Sequence, residues 1–154
     1  MVFMKICIAQ ESDLPELAKL YQQTVLEIAP QKYSPIQTEA WAFFATEEGF
    51  RDFILKPTTF LAVDTTGILA FFGIESDGHI TSAYVRRDRV RQGIGATLIQ
   101  TLLDHAKSNN IKRLYAEASE FSVALFQKSG FHLYDTEVVD RQGVDFKRYL
   151  VELS

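Results

Sequence analysis

The sequence predicts a mixed α/β fold, a mostly antiparallel central sheet of about seven strands flanked by about four helices. Three observations predict it. Apolar periods along the 154 residues run in the order β-α-α-(α)-β-β-β-α-β-α-β-β. Turn signals at Thr66-Gly67 and Asp77-Gly78 join three consecutive strands into a meander, and Asp-Gly between apolar runs is a strong hairpin signal. A single β-α-β crossover follows, whereas a parallel sheet needs crossovers throughout.

Each element has its own justification. Ile6 and Ile8 alternate in a first strand, Lys5 to Ala9. Asp13 as N-cap and Glu16 three residues on start a helix, whose apolar stripe from Leu14 to Ile28 ends at Pro30. Ser34 caps and Pro35 opens a second helix through Trp41 and Phe44, and a short helix covers Phe50 to Leu55. Thr59 to Val63, Ile68 to Glu75 and His79 to Arg86 are the meander strands. Gly93 and Gly95 open a long helix with Ile94, Leu98, Leu102 and Ala106 on one stripe, closed by Asn109-Asn110. Leu114 to Ala118 is a strand, Phe121 to Lys128 a short helix, and Gly130 its left-handed stop. Leu133 to Val139 and Phe146 to Glu152 pair around Arg141-Gln142-Gly143.

Composition narrows the class. At 17.5 kDa, with 47% hydrophobic and 23% charged residues and no repeat or composition break, residues 1–154 read as one domain. The longest uncharged apolar stretch, Gly67 to Ile74, is eight residues, too short for a membrane span. The first residues, Met1 to Cys7, lack the apolar region and cleavage site of a secretory signal. A lone Cys7 forms no internal disulfide, and His79, His105 and His132 lie too far apart in sequence for a zinc pattern, so no metal is expected. A net charge of -4 argues against nucleic acid as a partner. The expected setting is cytoplasmic.

The stretch from Ala83 to Leu98 carries the most chemistry. A strand runs into a loop holding Arg86, Arg87, Arg89 and Arg91, and then two glycines begin an amphipathic helix. Glycines at a helix N-terminus let backbone N–H groups and the helix dipole meet an anion. A solvated basic loop with a tight turn is the plain alternative; the arginines in an acidic protein favour a phosphorylated ligand. A dinucleotide site is disfavoured because Leu98 stands where a third glycine belongs, although Glu117 falls near the ribose position. A P-loop is excluded, since no Gly-Lys-Ser/Thr follows.

Val90-Arg91-Gln92-Gly93-Ile94-Gly95 resembles the Gln/Arg-x-x-Gly-x-Gly/Ala pyrophosphate loop of the GNAT family of N-acetyltransferases. Leu125-Phe126-Gln127-Lys128-Ser129-Gly130-Phe131 resembles that family's Phe-Tyr-x-Lys-x-Gly-Phe helix ending, and the element order resembles the GNAT fold throughout. The segment from Ala29 to Ala42 is similar to the Tyr-Ser-Pro-x-Gln…Ala-Trp segment of the YafP-like bacterial subgroup. The resemblance implies acetyl-coenzyme A (acetyl-CoA) as co-substrate and an amine of a small molecule or protein as acceptor. It implies that Arg91, Gln92, Gly93, Ile94, Gly95 and Ala96 hold the pyrophosphate. Tyr84 and Val85 would pair with the pantetheine arm and polarise the thioester carbonyl. Homodimers are common among such relatives.

Two departures stand out. Val90 replaces the usual first Gln or Arg of the loop, leaving Arg89 or Arg91 to supply that contact. Phe126 replaces the family's tyrosine acid, as in YafP-like proteins, and cannot protonate the leaving thiolate. Among other candidates, His79 counts back from Gly93 to the general-base position of the histone-type branch; the alternative is an ordinary residue at a strand start. Glu117 is the other possible base, or a solvated charge. Ser119 either touches the pantetheine arm or caps a helix, and Lys128 either reaches a coenzyme phosphate or simply ends one. Tyr33 and Trp41 lie where the fold overhangs the acceptor, or serve packing. The leading function is an acetyl-CoA-dependent N-acetyltransferase. Its rival is an acyl-CoA-binding regulatory or partner-binding module with the same fold and little catalysis, favoured by Val90 and Phe126.

Overall fold

A computed structural model describes residues 4–141 and 143–154. Met1, Val2 and Phe3, part of the stretch read for a signal, and Gln142 of the predicted last turn lie outside the described residues. Seven strands make one sheet: β1 (Lys5–Ile8), β2 (Thr58–Asp64), β3 (Gly67–Ile74), β4 (His79–Val85), β5 (Leu114–Ala118), β6 (His132–Arg141) and β7 (Val144–Leu153). Their order is β1-β2-β3-β4-β5-β7-β6. Neighbours are antiparallel except β4 and β5, the strands joined by the crossover helix. The helices are α1 (Leu14–Ile28), α2 (Pro35–Phe43), α3 (Gly49–Leu55), α4 (Ile94–Ser108) and α5 (Val123–Lys128). The short α3, expected over Phe50 to Leu55, is the fifth beside the other four.

The apolar run of β3 follows from its central place. Phe71 packs with α1, α2 and α3 on one face, and Phe72 packs with α4 on the other. Both rings are fully buried, worth about 1.5–3 kcal/mol each by area. Helices thus cover both faces of an antiparallel meander, and the strand loses its alternation because neither face meets water.

Two helix starts behave differently. Ser34 accepts from the Gln37 backbone N–H at 3.1 Å while the Gln37 side chain accepts from the Ser34 N–H at 2.9 Å, the expected cap with Pro35 at the first position. Asp13 does not cap α1. A 3-10 turn over Glu11–Asp13 precedes that helix, and the Asp13 carboxylate accepts from the Gln10 N–H at 2.8 Å. Glu16 reaches away to accept from the Ile68 N–H at 2.6 Å, so it ties α1 to the β2–β3 turn.

What shapes the site is the junction of β4 and β5. They pair only at His79↔Tyr115 and Ile80↔Ala116, and beyond Ile80 β4 has no strand partner on that side. On its other side, Gly73 of β3 faces Ser82 while Ile74 faces Ile80, so Thr81 is the extra residue of a β-bulge. A Cβ added to Gly73 would stand 2.5 Å from Thr81 Oγ1 and 3.1 Å from Ser82 Oγ, which places both hydroxyls on one side of β4.

Candidate active site

The opening between β4 and β5 widens into a cleft of about 710 Å³. Thr81 to Val85 of β4 form one wall, and Ala116, Glu117 and Ser119 form the other. The α4 turn closes one end with Arg91, Gly93, Ile94, Gly95 and Ala96, and α5 contributes Phe126 and Lys128. The predicted coenzyme residues therefore meet in one place, with Gln92 outside the lining. Thr81 Oγ1 and Ser82 Oγ are buried there without a hydrogen-bond partner among the described residues.

The α4 end presents backbone donors without acceptors. No backbone N–H from Arg91 to Ala96 meets a protein acceptor among the described residues, and no side chain caps the helix. Arg91 at φ 65° and Gly93 at φ 81° shape the turn, and a Cβ on Gly93 would meet nothing within 4 Å. Gly95 has a different reason: a Cβ there would stand 2.9 Å from the tip of Leu125, so it lets α5 approach α4. The arginines divide. Arg86 binds Asp88 at 2.7 Å and Arg89 binds Asp64 at 2.9 Å, so two of the four brace the loop. Arg87 and Arg91 line the cleft and have no ion pair among the described residues.

His79 and Glu117 come together at different depths. Glu117 lines the cleft; His79 stands behind it, outside the lining. His79 Nε2 lies 2.8 Å from Glu117 Oε2, Nδ1 lies 2.7 Å from Glu75 Oε1, and the ring stacks on Tyr115 at 4.9 Å. The hydrogen bond to Glu117 outweighs burial and, with Glu75 adding to it, lifts the imidazole to about 9. An unperturbed imidazole titrates near ~6.5, so the free base that a general-base role needs is absent here: the ring is an imidazolium at neutral pH with both nitrogens occupied. For Glu117, burial pushes upward, but the hydrogen bond from His79 and the charges of His79 and Arg148 pull the carboxyl below its usual range.

Ser119 caps the turn into α5, its Oγ accepting from the N–H groups of Phe121 at 3.1 Å and Ser122 at 3.2 Å. It also lines the cleft, so the two alternatives weighed for it are compatible. Phe126 is 2% exposed, with its ring 5.2 Å from Phe131. Tyr33 stays outside the main cleft and lines a smaller adjoining pocket of about 80 Å³, shared with Trp41, Tyr84 and Glu117. The Trp41 indole donates to the Tyr84 hydroxyl at 3.2 Å, and Gln37 Nε2 donates to the Asp145 carbonyl at 2.9 Å. The Tyr33-to-Trp41 segment thus fastens an aromatic wall to β7.

Sequence reasoning missed Tyr21, Thr24, Ile28 and Gln31, which α1 or the turn after it brings to the cleft, and Arg141 and Arg148 from the last hairpin. Thr24 did carry a signal, a polar residue within a buried helical stripe. Nothing local marks the two arginines, because β7 inserts between β5 and β6 and brings them over the site. Among the described residues no His/Cys/Asp/Glu group is arranged to hold a metal, and no helix is long and apolar enough to cross a membrane.

Residues 29–153 match the family model of the acetyltransferase (GNAT) domain. The chain is 24% identical over 140 residues to the uncharacterized N-acetyltransferase YafP of Escherichia coli (strain K12), covering 91% of this chain and 89% of that one. Its fold is similar to a GCN5-related N-acetyltransferase from Rhodopseudomonas palustris, with TM-score 0.94, 24% identity and coverage of 100% and 97%. It is also similar to the PaiA N-acetyltransferase of Thermoplasma acidophilum in complex with coenzyme A, with TM-score 0.79, 16% identity and 98% of each chain covered. The glycine turn at the open end of two parted strands and a family model spanning most of the sequence lead to one conclusion: the chain belongs to the GNAT family of acetyltransferases.

Proposed function

We propose that residues 1–154 act as one transferase domain that moves the acetyl group of acetyl-CoA to an amine. The observation that carries this is the row of unpartnered N–H groups from Arg91 to Ala96 at the mouth of the β4–β5 cleft. The residues present fit the coenzyme. A helix N-terminus with Arg87 and Arg91 beside it suits a pyrophosphate, and Lys128, which lines the same cleft, suits a further phosphate. The unpaired side of β4 from Thr81 to Val85 suits a pantetheine amide. The coenzyme bound in the PaiA relative supports the same choice of ligand. Acetyl-CoA supplies the activated acyl group: a new C–N bond replaces the C–S bond, giving an amide, a thiolate and one proton.

The chain's own residues manage charge and protons. Glu117, anionic at neutral pH, draws the substrate ammonium into the cleft; the amine attacks after losing one proton to water, and Glu117 receives the second from the more acidic ammonium of the tetrahedral adduct. His79 is a positioning residue that orients this carboxylate and holds it ionised. A backbone N–H of β4 facing the thioester oxygen stabilises the charge that develops there. Phe126 offers no proton, so the thiolate leaves as its anion, tolerable for a thiol of pKa ~8.5. The lone, exposed Cys7 suits a reducing compartment, and we place the reaction in the cytoplasm.

Two measurements on the purified protein test this. Acetyl-CoA at ~100 times its dissociation constant should stabilise the fold by about 2.7 kcal/mol. Thiol release across a panel of amines should then depend on the amine. Absence of stabilisation refutes the coenzyme site. Stabilisation without amine-dependent thiol release supports instead a coenzyme-binding module, the reading that Phe126 favours.

A further inference from the structure

We propose that the acceptor amine also carries a carboxylate, held by the Arg141 guanidinium across an aromatic pocket from Glu117. This rests on the acetyl-transfer reading and names its substrate class.

Arg141 closes β6, opposite Val144, and lines both the main cleft and the smaller pocket beside it. Its neighbours there are aromatic. Tyr21, Tyr33 and Tyr84 are phenols held above their usual range by burial, and the Arg141 charge acts on all three. Phe146 lines the smaller pocket and packs on Tyr33 at 5.5 Å. None of these groups carries a formal negative charge at neutral pH.

The charge balance separates Arg141 from the other hairpin cations. Arg148 is held by Glu137 and lies 3.8 Å from Glu117, and Lys147 sits 5.3 Å from the centre of the Tyr149 ring. Arg141 has no carboxylate within ion-pair distance among the described residues, although it faces the site. Arg87 and Arg91 also lack one, but they stand at the α4 turn, where a pyrophosphate uses them. Glu117 is the anion that lines both cavities. Two hairpin cations, Lys147 and Arg141, lack a carboxylate partner among the described residues. Lys147 lies over the Tyr149 ring and lines only the smaller pocket, whereas Arg141 also lines the main cleft, with the aromatic rings beside it. An ammonium and a carboxylate on a short apolar skeleton match that layout. The planar guanidinium meets a carboxylate through two parallel N–H donors, which a solitary lysine cannot do.

Matched pairs of probes test the proposal: phenylalanine against phenethylamine, leucine against isoamylamine, and methionine against its decarboxylated amine, with phosphoethanolamine as a non-carboxylate anion. Thiol release gives KM and kcat for each, and the melting shift of the coenzyme A-loaded protein gives binding where turnover is slow. The carboxylated member of a pair should have a KM roughly tenfold to hundredfold lower, the range of a charged hydrogen-bonded pair. Arg141→Gln should remove that preference by raising KM of the acids, with kcat within about threefold and the melting temperature of the free protein unchanged. Arg141→Lys should restore part of it. Equal or better use of the decarboxylated amines, a preference that survives Arg141→Gln, or a preference for phosphoethanolamine overturns the proposal. So does stabilisation by acetyl-CoA with no probe bound or acetylated, an outcome that leaves the coenzyme site standing. Loss of acetyl-CoA binding itself would instead bring down the transfer reading.

Discussion

Replacing His79 with glutamine removes an imidazolium clamped between two carboxylates, and the consequence is a pH-dependent loss of stability. The ring rises from an ordinary 6.5 to about 9, and at 1.36 kcal/mol per tenfold change in proton affinity this is about 3 kcal/mol at full value. Glu75 is half exposed, so solvent screens its share and about 2 kcal/mol is the expected figure. The sign follows from the direction of the rise. The folded protein binds this proton more tightly than the unfolded chain. The contribution is thus complete below pH ~6.5, declines as pH rises through about 9, and is gone above it.

Urea unfolding of both proteins at about pH 6 and about pH 9.5 isolates the effect. Other titrating groups are common to the two, so the difference between wild type and His79→Gln should shrink by about 2 kcal/mol at the higher pH. In melting temperature that is ~4–8 °C for a chain of this size. NMR titration of the His79 Cε1 proton gives the pKa directly. A ring that titrates near 6.5, or a stability difference that stays constant with pH, refutes the clamp and reopens His79 as a free base.

Three further outcomes follow from the site. Glu117→Gln should lower kcat by about 10²-fold, the low end for acid–base groups, and leave acetyl-CoA affinity nearly unchanged by calorimetry; an unchanged kcat transfers proton acceptance to water. The rising limb of the rate against pH should follow the acceptor, because an alkyl amine of pKa ~10.4 is almost wholly protonated at neutrality. Two acceptors of different amine pKa should shift the limb by that difference, and a shared limb would return it to a protein group. Tyr33→Ala should raise the acceptor KM with coenzyme affinity unchanged, since Tyr33 lines only the smaller pocket; the reverse pattern assigns it to the coenzyme.

Much of the frame was legible because its causes are local. Asp77-Gly78 turns the chain with φ 97° at the glycine, Gly93 takes φ 81° before α4, and Ser34 with Gln37 closes a cap four residues long. Each depends on neighbours in sequence, where spacing alone carries the information. Partnerships across the sheet are different. The loop arginines read as one basic cluster until Asp64, 25 positions away, is brought against Arg89. Glu16 reads as a capping residue until the β2–β3 turn arrives with a free N–H.

The site shows the same division. The glycine turn could be found from sequence because backbone geometry makes it, and a backbone conformation leaves its mark in glycine. His79 and Glu117 were each visible as candidates, but not their pairing, which the parallel register of β4 and β5 creates across 38 positions. That pairing inverts the chemistry inferred for His79: a residue chosen as a base for its place before the glycine turn is held protonated by the other candidate. Arg141 lies further still from the meander in sequence and reaches the cleft only because β7, the later strand of its hairpin, pairs with β5. The proposed coenzyme site is therefore built from local backbone and the proposed acceptor pocket from tertiary convergence. Substitutions in the last hairpin should then change which amine is used before they change how acetyl-CoA is held.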